Sequence, residues 1–327
     1  PHYYRYARRA SNLDFAACTD HVGHGTPQET WRRFQRGAER FNDPGSFVTF
    51  LGCEWSTSRW GDHNVYFLHD NRPNPIPKGP LSDLWDSLKN EKAIVVPHHP
   101  AYPIGLRGTD WRIHAPRYQR LVEIASCHGL SEYYGNPGEC GGIRSNMGPA
   151  APGGFARDAL EKGLKVGFIA SSDDHSGRPG SAQWNKKGDG RSSPLAGVWA
   201  PELNRQKLFD ALRSKRTCGT TGARMILRFR MNGHWMGSDF TTSDAPTAHV
   251  YAAGTARIKR AVIVKNGREI YSHEGKGREL EFTWRDSNFT SPRANYYVRV
   301  EQADGEWGWT SPVWVRSAEP FADLDVS

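Results

Sequence analysis

Short apolar runs of four to seven residues recur through the first 200 positions of this chain, at 13–18, 47–53, 63–68, 93–96, 121–125, 165–170 and 195–200. Runs of this length, bounded by Gly, Pro, Asp and Ser, predict strands. Between them lie stretches with helical spacing, at 3–10, 27–41, 81–90, 154–163 and 202–214. The second has a helix-start signature, with Thr26 as the expected N-cap, Pro27 at the first position and Glu29 behind it. Strands alternating with helices predict parallel βαβ units, and seven of them fit a barrel-like α/β domain better than the alternative, a small open sheet. After Thr221 the pattern changes. Runs at 223–231, 247–252, 258–265, 279–284, 295–302 and 311–316 are punctuated by Asn232-Gly233, Asn266-Gly267 and Asp304-Gly305. With no helical stretch between them, they predict a small all-β, sandwich-like domain. The expected division is therefore 1–221 and 222–327.

Composition adds limits. The 327 residues carry 43 Lys+Arg against 35 Asp+Glu, a formal charge of +8. The first 221 residues hold 29 of the bases and 22 of the acids, so the surplus sits in the first domain. No block of Lys and Arg accompanies it, so a solvated basic surface is expected rather than a nucleic-acid site. A small-molecule substrate, mildly anionic, suits that charge. No run approaches the ~18 apolar residues of a membrane span, and no membrane partner is expected. The cysteines, Cys18, Cys53, Cys127, Cys140 and Cys218, are odd in number and form no CxxC, which argues against a disulfide framework or a zinc ribbon.

Histidine placement carries the chemistry. Ten of the thirteen histidines precede Gly222, and nearly every apolar run of the first domain ends in His, Asp or Glu. In a parallel barrel the residues just past the strand C-termini converge on one face. Asp20, His21, Glu54, His63, His98, His99, His128, Asp173 and His175 are thus candidates for one pocket. Imidazole nitrogens with carboxylate oxygens suit Zn, Mn or Fe. A single His after a strand is usually a cap or surface group; five such strand ends together predict a metal site. Two cations held by a bridging carboxylate polarise a substrate oxygen and activate water.

The ordered set Thr19-Asp20-His21, Glu54, His99-Pro100, His128 and Asp173-x-His175 resembles the PHP (polymerase and histidinol phosphatase) superfamily. The segments CTDH, GCEWS, GDHNVYF, PHHP, SSDDHSGRPG and ALRSKRTCGTTGAR resemble PHP-like metallohydrolases related to the carbaryl-hydrolase type. The resemblance spans about residues 3–230. It implies a distorted TIM-like (β/α)7 barrel holding two or three divalent metal ions (Zn, Mn or Fe). Glu54 is then the bridging carboxylate, with His21, His99, His128, Asp173 and His175 as ligands and Asp20 beside the site as a neighbour or proton carrier. The resemblance also implies a His-x-His strand about 25–40 residues before Thr19. Only 18 residues precede Thr19, and none of them forms His-x-His. The barrel is therefore expected to be N-terminally incomplete, through truncation rather than through a strand supplied in trans or lost.

On the substrate side, Arg178 is a candidate holder of an anionic oxygen beside the metals. His98 and His63 are ranked as catalytic or substrate contacts. The Gly-rich, aromatic segment 129–153 is expected to form a substrate wall, with Tyr133, Tyr134 and Arg144, and Trp184 beyond it, as contacts. Trp307 and Trp309 alternate as one strand face does. The expected function is metal-dependent hydrolysis of a phosphoester. The alternatives are a carboxylic ester or carbamate at the same metals, or a non-catalytic binding protein with a degenerate site.

Overall fold

A computed structural model of the chain describes residues 2–22, 25–137, 148–181 and 193–318. Helix α1 (His2–Arg9) leads into β1 (Phe15–Cys18) and the short β2 (His21–Val22). Helix α2 (Gln28–Phe41) returns the chain to β3 (Val48–Trp55), followed by β4 (Asp62–Phe67), α3 (Leu81–Ser87) and β5 (Ala93–His98). Next come β6 (Leu121–Ser126), β7 (Gly129–Leu130), α4 (Ala156–Glu161), β8 (Gly167–Ala170), β9 (Leu195–Val198), α5 (Arg205–Arg213) and β10 (Thr217–Thr220). The rest of the described chain is strand: β11 (Ile226–Met231), β12 (His234–Trp235), β13 (Asp239–Thr242), β14 (Thr247–Ala253) and β15 (Ile258–Lys265). These are followed by β16 (Arg268–Glu274), β17 (Glu279–Arg285), β18 (Arg293–Gln302), β19 (Trp307–Thr310) and β20 (Val313–Ser317).

The helices form where the apolar spacing placed them. In α2, Trp31 and Ala38 lie two turns apart on one face and are fully buried, while the arginines face outward. The expected Thr26 cap is not the one used: Pro27 occupies the N-cap position and makes no side-chain bond. In α5, Asn204 is a true N-cap, its side chain accepting from Lys207 N at 2.8 Å.

The expected (β/α)7 TIM-like barrel does not form. Strands dominate and lie in several sheets, with five short helices among the described residues. One sheet runs β1-β3-β4-β5 with β2 also on β3; another runs β7-β6-β8. β1 and β3 are parallel, as are β6 and β8, but β4 is antiparallel to both of its neighbours. The cause is the length of a connection. Only residues 56–61 join β3 to β4, and a parallel crossover needs roughly a dozen or more residues. The curved wall made by these strands is a half-barrel. Its interior is a cavity of about 350 Å³ bordered by Phe15, Phe50, Tyr66, Ile94, Val96 and Ile169, where a closed barrel has packed layers of side chains.

The second half is built as a sandwich. The sheet β12-β11-β14-β17 packs on an eight-stranded sheet, burying Phe229, Val250, Ile263, Val298 and Val315 between them. The larger sheet also takes in β9 and β10, with β10 pairing to β19. The larger sheet therefore takes strands from both sides of the expected 221/222 boundary, which lies in the link between β10 and β11. A second core joins Val122, Ile124 and Phe168 of the half-barrel to Val262, Tyr297 and Trp309 of the sandwich.

The loop after β5 is pinned by close backbone packing. A Cβ on Gly61 would meet the Gly108 carbonyl oxygen at 2.8 Å, and a Cβ on Gly108 would fall within the Tyr102 carbonyl. Gly108→Ala is accordingly expected to lower unfolding stability by about 2 kcal/mol or more, since neither contact is to a flexible side chain. Urea denaturation checks this; an unchanged midpoint would show that the loop yields freely.

Candidate metal centre

Strand register brings the acidic and histidine positions together. β2 and β3 pair His21 with Glu54, and β4 and β5 pair Asp62 with His98. His99 follows β5 directly. His128 is one of two residues turning between β6 and β7, and Asp173 follows β8. Together they border a cavity of about 280 Å³ whose lining is His21, Glu54, His98, His99, Arg107, His128, Asp173 and His175. Every metal ligand expected from the resemblance is in that lining, together with His98.

The contacts within it are close. His128 Nε2 lies 2.9 Å from Asp173 Oδ2, His98 Nε2 3.6 Å from the same oxygen, and His99 Nε2 3.3 Å from Asp62 Oδ2. Ser56 Oγ donates to Glu54 Oε1 at 2.8 Å and contacts His21 Nδ1 at 2.8 Å. His175 Nδ1 lies 2.9 Å from the Asp173 carbonyl oxygen. Tyr102 Oη is 2.7 Å from His128 Nδ1, and Cys127 Sγ donates to Asp173 Oδ2 at 3.0 Å.

Buried charge is balanced in pairs. Burial alone would drive His98 neutral, but the Glu123 and Asp173 carboxylates outweigh it and hold the ring protonated, well above its ordinary range. Burial would likewise raise Asp173 and Glu123. His98, helped at Asp173 by His128, reverses this and lowers both. Asp62 is lowered against its own burial by His99 and Arg107. His99 is depressed to about 4 by burial and by the neighbouring His98 charge. Its Nδ1 is buried with no hydrogen-bond partner.

This donor set fits divalent cations. Ligand atoms of Glu54, Asp62 and His99 lie within 4.8 Å of one another, as do those of Glu54, His98 and Asp173, and those of His98, His99 and His128. Glu54 belongs to two of these groups, which is the placement a bridging carboxylate needs. Cys127 joins His128 and Asp173 in a further group, so a thiol stands beside a donor set expected to be purely nitrogen and oxygen. The backbone at the site is also unusual. His99, Arg107 and Asp173 have φ of 32°, 72° and 47°, in the left-handed region that residues other than Gly adopt in only a few per cent of cases. Such strain concentrates at functional sites.

Three residues of the centre lie outside the sequence-based set. Asp62 opens the antiparallel β4, so its N-terminal end, not its C-terminal end, reaches the site. Glu123 sits within β6, 2 % exposed, and its carboxylate lies 2.9 Å from His98 Nδ1. A charged residue inside the apolar run LVEIA is the signal that could have found it. Arg107 Nη1 donates to Asp62 Oδ2 at 2.9 Å from the pinned loop, and nothing in its local sequence marks it.

Other expected contacts lie elsewhere. Asp20 is exposed and outside the cavity lining, its carbonyl accepting from Glu54 N at 3.1 Å. Arg178 is exposed and also outside the lining; its backbone N–H donates to Asp174. Tyr133 stacks under Arg157, 4.1 Å from guanidinium carbon to ring centre, and Tyr134 is exposed. Arg144 and Trp184, with Cys140, lie outside the described residues. His63 is a core group. It is 1 % exposed between Trp55 and Trp85, with its ring nitrogens near the Gly61 carbonyl and Gln119. Burial depresses it to about 4.

A neutral, buried His63 makes stability depend on pH. The unfolded chain takes up this proton near pH 6.5 and the folded chain only near 4, so stability present above about 6.5 falls as the pH drops toward 4. In an NMR titration the His63 ring should hold its neutral-form shifts down to about pH 4; titration near 6.5 would contradict its placement.

The family described as protein of unknown function (DUF3604) matches residues 5–106 and 184–260, together more than half of the chain. An uncharacterized protein of Chlamydia pneumoniae is 27% identical over 339 residues, covering 95% of this chain and 53% of its own length. Uncharacterized proteins of Chlamydia muridarum and Chlamydia trachomatis serovar D are 27% and 26% identical over 336 residues, each covering 95% of this chain and 54% of the relative. The chain thus spans about half the length of the curated relatives it matches.

Proposed function

We propose that this chain, which belongs to the DUF3604 family, works as a metal-dependent hydrolase of phosphoesters. The observation that carries the reading is the convergence of Glu54, His98, His99, His128 and Asp173 at one cavity, with Asp62 behind His99, in overlapping groups of three whose ligand atoms lie within 4.8 Å of one another. The resemblance to PHP-type metallohydrolases points the same way.

Glu54, Asp62 and His99 would hold one cation, and His128 with Asp173 would help hold a second. Bound divalent ions supply Lewis acidity and a nucleophilic water at neutral pH. The chain's own groups do the rest. Glu123 fixes the His98 ring through Nδ1, so its Nε2 is aimed at the Asp173 side of the cavity. From there a protonated His98 can donate to the leaving oxygen. Tyr102 and Ser56 orient His128 and His21.

Arg107 favours an anionic substrate. Its guanidinium borders the cavity and gives one hydrogen bond to Asp62, leaving most of its five donors for a substrate's charged oxygen. It takes the role first expected of Arg178.

Metal-loaded protein is expected to hydrolyse an aryl phosphate or phosphodiester. His99→Ala and Asp173→Asn should each lower kcat by about 100-fold or more, the scale of losing a main electrostatic group. Rates unaffected by either substitution, or no metal-dependent turnover across phosphate, carboxylic ester and carbamate substrates, would overturn the reading. Arg107→Gln should raise KM for the aryl phosphate and leave a neutral aryl ester little changed. An equal loss on both would remove Arg107 from substrate binding.

A further inference from the structure

We infer that the C-terminal sandwich sets the position of His128, acting through the buried carboxylate of Glu132. The inference rests on His128 being a metal ligand in the proposed function.

The connection between the two is short and rigid. Cys127 and His128 are the two residues between the paired Ser126 and Gly129, so the hairpin has no slack. Its returning leg continues through Ser131, whose N–H donates to the Ile124 carbonyl at 2.8 Å, into Glu132. Glu132 is completely buried. Its Oε1 accepts from Tyr297 Oη at 2.6 Å, Arg157 Nη2 at 2.8 Å and Arg299 Nη1 at 3.1 Å. Its Oε2 accepts from Trp309 Nε1 at 2.7 Å. Three of those four donors stand on β18 and β19 of the sandwich. Arg299 is itself anchored by Glu301 at 3.2 Å and by Glu269.

This arrangement is hard to explain as a stabiliser alone. A buried ion pair recovers little beyond its desolvation, and apolar residues of the same volume serve folding as well or better. What a fully satisfied buried network provides is one fixed geometry. Here the fixed point lies four residues from a side chain that contacts both Asp173 and Tyr102. Glu132 and Tyr297 are therefore positioning residues. They touch no substrate, and they aim His128.

Adjacent residues on β18 provide a matched comparison. Tyr297→Phe removes the hydroxyl that reaches Glu132. Tyr296→Phe removes an equally buried hydroxyl that donates to Asp286 at 2.7 Å and does not touch Glu132. Zn²⁺ affinity is measured on the full chain by competition with a chelator, and the Co²⁺ absorption spectrum reports ligand geometry. Glu132→Gln and Tyr297→Phe should weaken Zn²⁺ binding by about 10-fold or more and shift the Co²⁺ bands, as loss of groups that orient ligands does. Tyr296→Phe should change neither, even with a similar drop in Tm. If all variants match the parent in affinity and spectrum while differing only in Tm, the positioning role is wrong. If Glu132→Gln does not fold, Tyr297→Phe carries the test. If the parent chain binds neither metal, the hydrolase reading fails by itself. The positional claim is then read from the ¹H–¹⁵N signals of the His128 ring in metal-free protein. Those signals should move in Tyr297→Phe and not in Tyr296→Phe; equal spectra would overturn the claim.

Discussion

Carboxylates cannot be buried as ions without a counter-charge, and this requirement organises the site end of the molecule. Asp62, Glu123 and Asp173 are withdrawn from solvent, and each lies against a histidine or arginine that keeps it ionised. His98 is shared between Glu123 and Asp173 and ties the β5, β6 and β8 ends into one electrostatic unit. The compensation seen among side chains is the one that divalent ions would take over. This makes the cluster more than a set of neutralised surface groups.

Backbone geometry serves the same end. Strands β2, β3, β4 and β5 deliver His21, Glu54, Asp62 and His98 from their ends, and His99 and Asp173 stand in left-handed conformations just beyond strands. His99 and Asp173 turn the chain immediately after β5 and shortly after β8, and both side chains border the cavity. Arg107 does the same from a loop that Gly61 and Gly108 hold at backbone contact distance. The sandwich completes the support. Its larger sheet absorbs β9 and β10, its core runs into that of the half-barrel, and Tyr297, Arg299 and Trp309 grip the chain beyond His128. The second half is joined to the first as one structure.

Much of this was legible in the sequence, and the reasons for the rest are specific. Apolar runs ending in His or acid located β1, β3, β5, β6 and β8, and with them His21, Glu54, His98, His99, His128, Asp173 and His175. Arrangement was less legible than position. Counting strands suggested a barrel-like domain of parallel βαβ units, yet the six-residue link before β4 forbids a parallel crossover there. The same antiparallel strand explains the exchange of Asp62 for His63. Side chains alternate across a strand, so only one of two neighbours can face the site, and a strand-C-terminus rule has no means of choosing the residue at the opposite end. Asp20 and Arg178 lie close in sequence to residues that line the cavity, but are themselves outside its lining. Arg107 depends on a loop fold set by the packing of its neighbour Gly108 against Tyr102 and the distant Gly61, which no local pattern encodes.

The most direct measurement is anomalous diffraction from crystals of the chain loaded with Mn²⁺ or Zn²⁺. The account predicts two anomalous peaks inside the cavity, at about 2 Å from donor atoms of Glu54, Asp62 and His99 and of His128 and Asp173, with Glu54 reaching both. Crystals soaked at saturating metal that show no peak there, with His128 and His98 still bonded to Asp173, would contradict it.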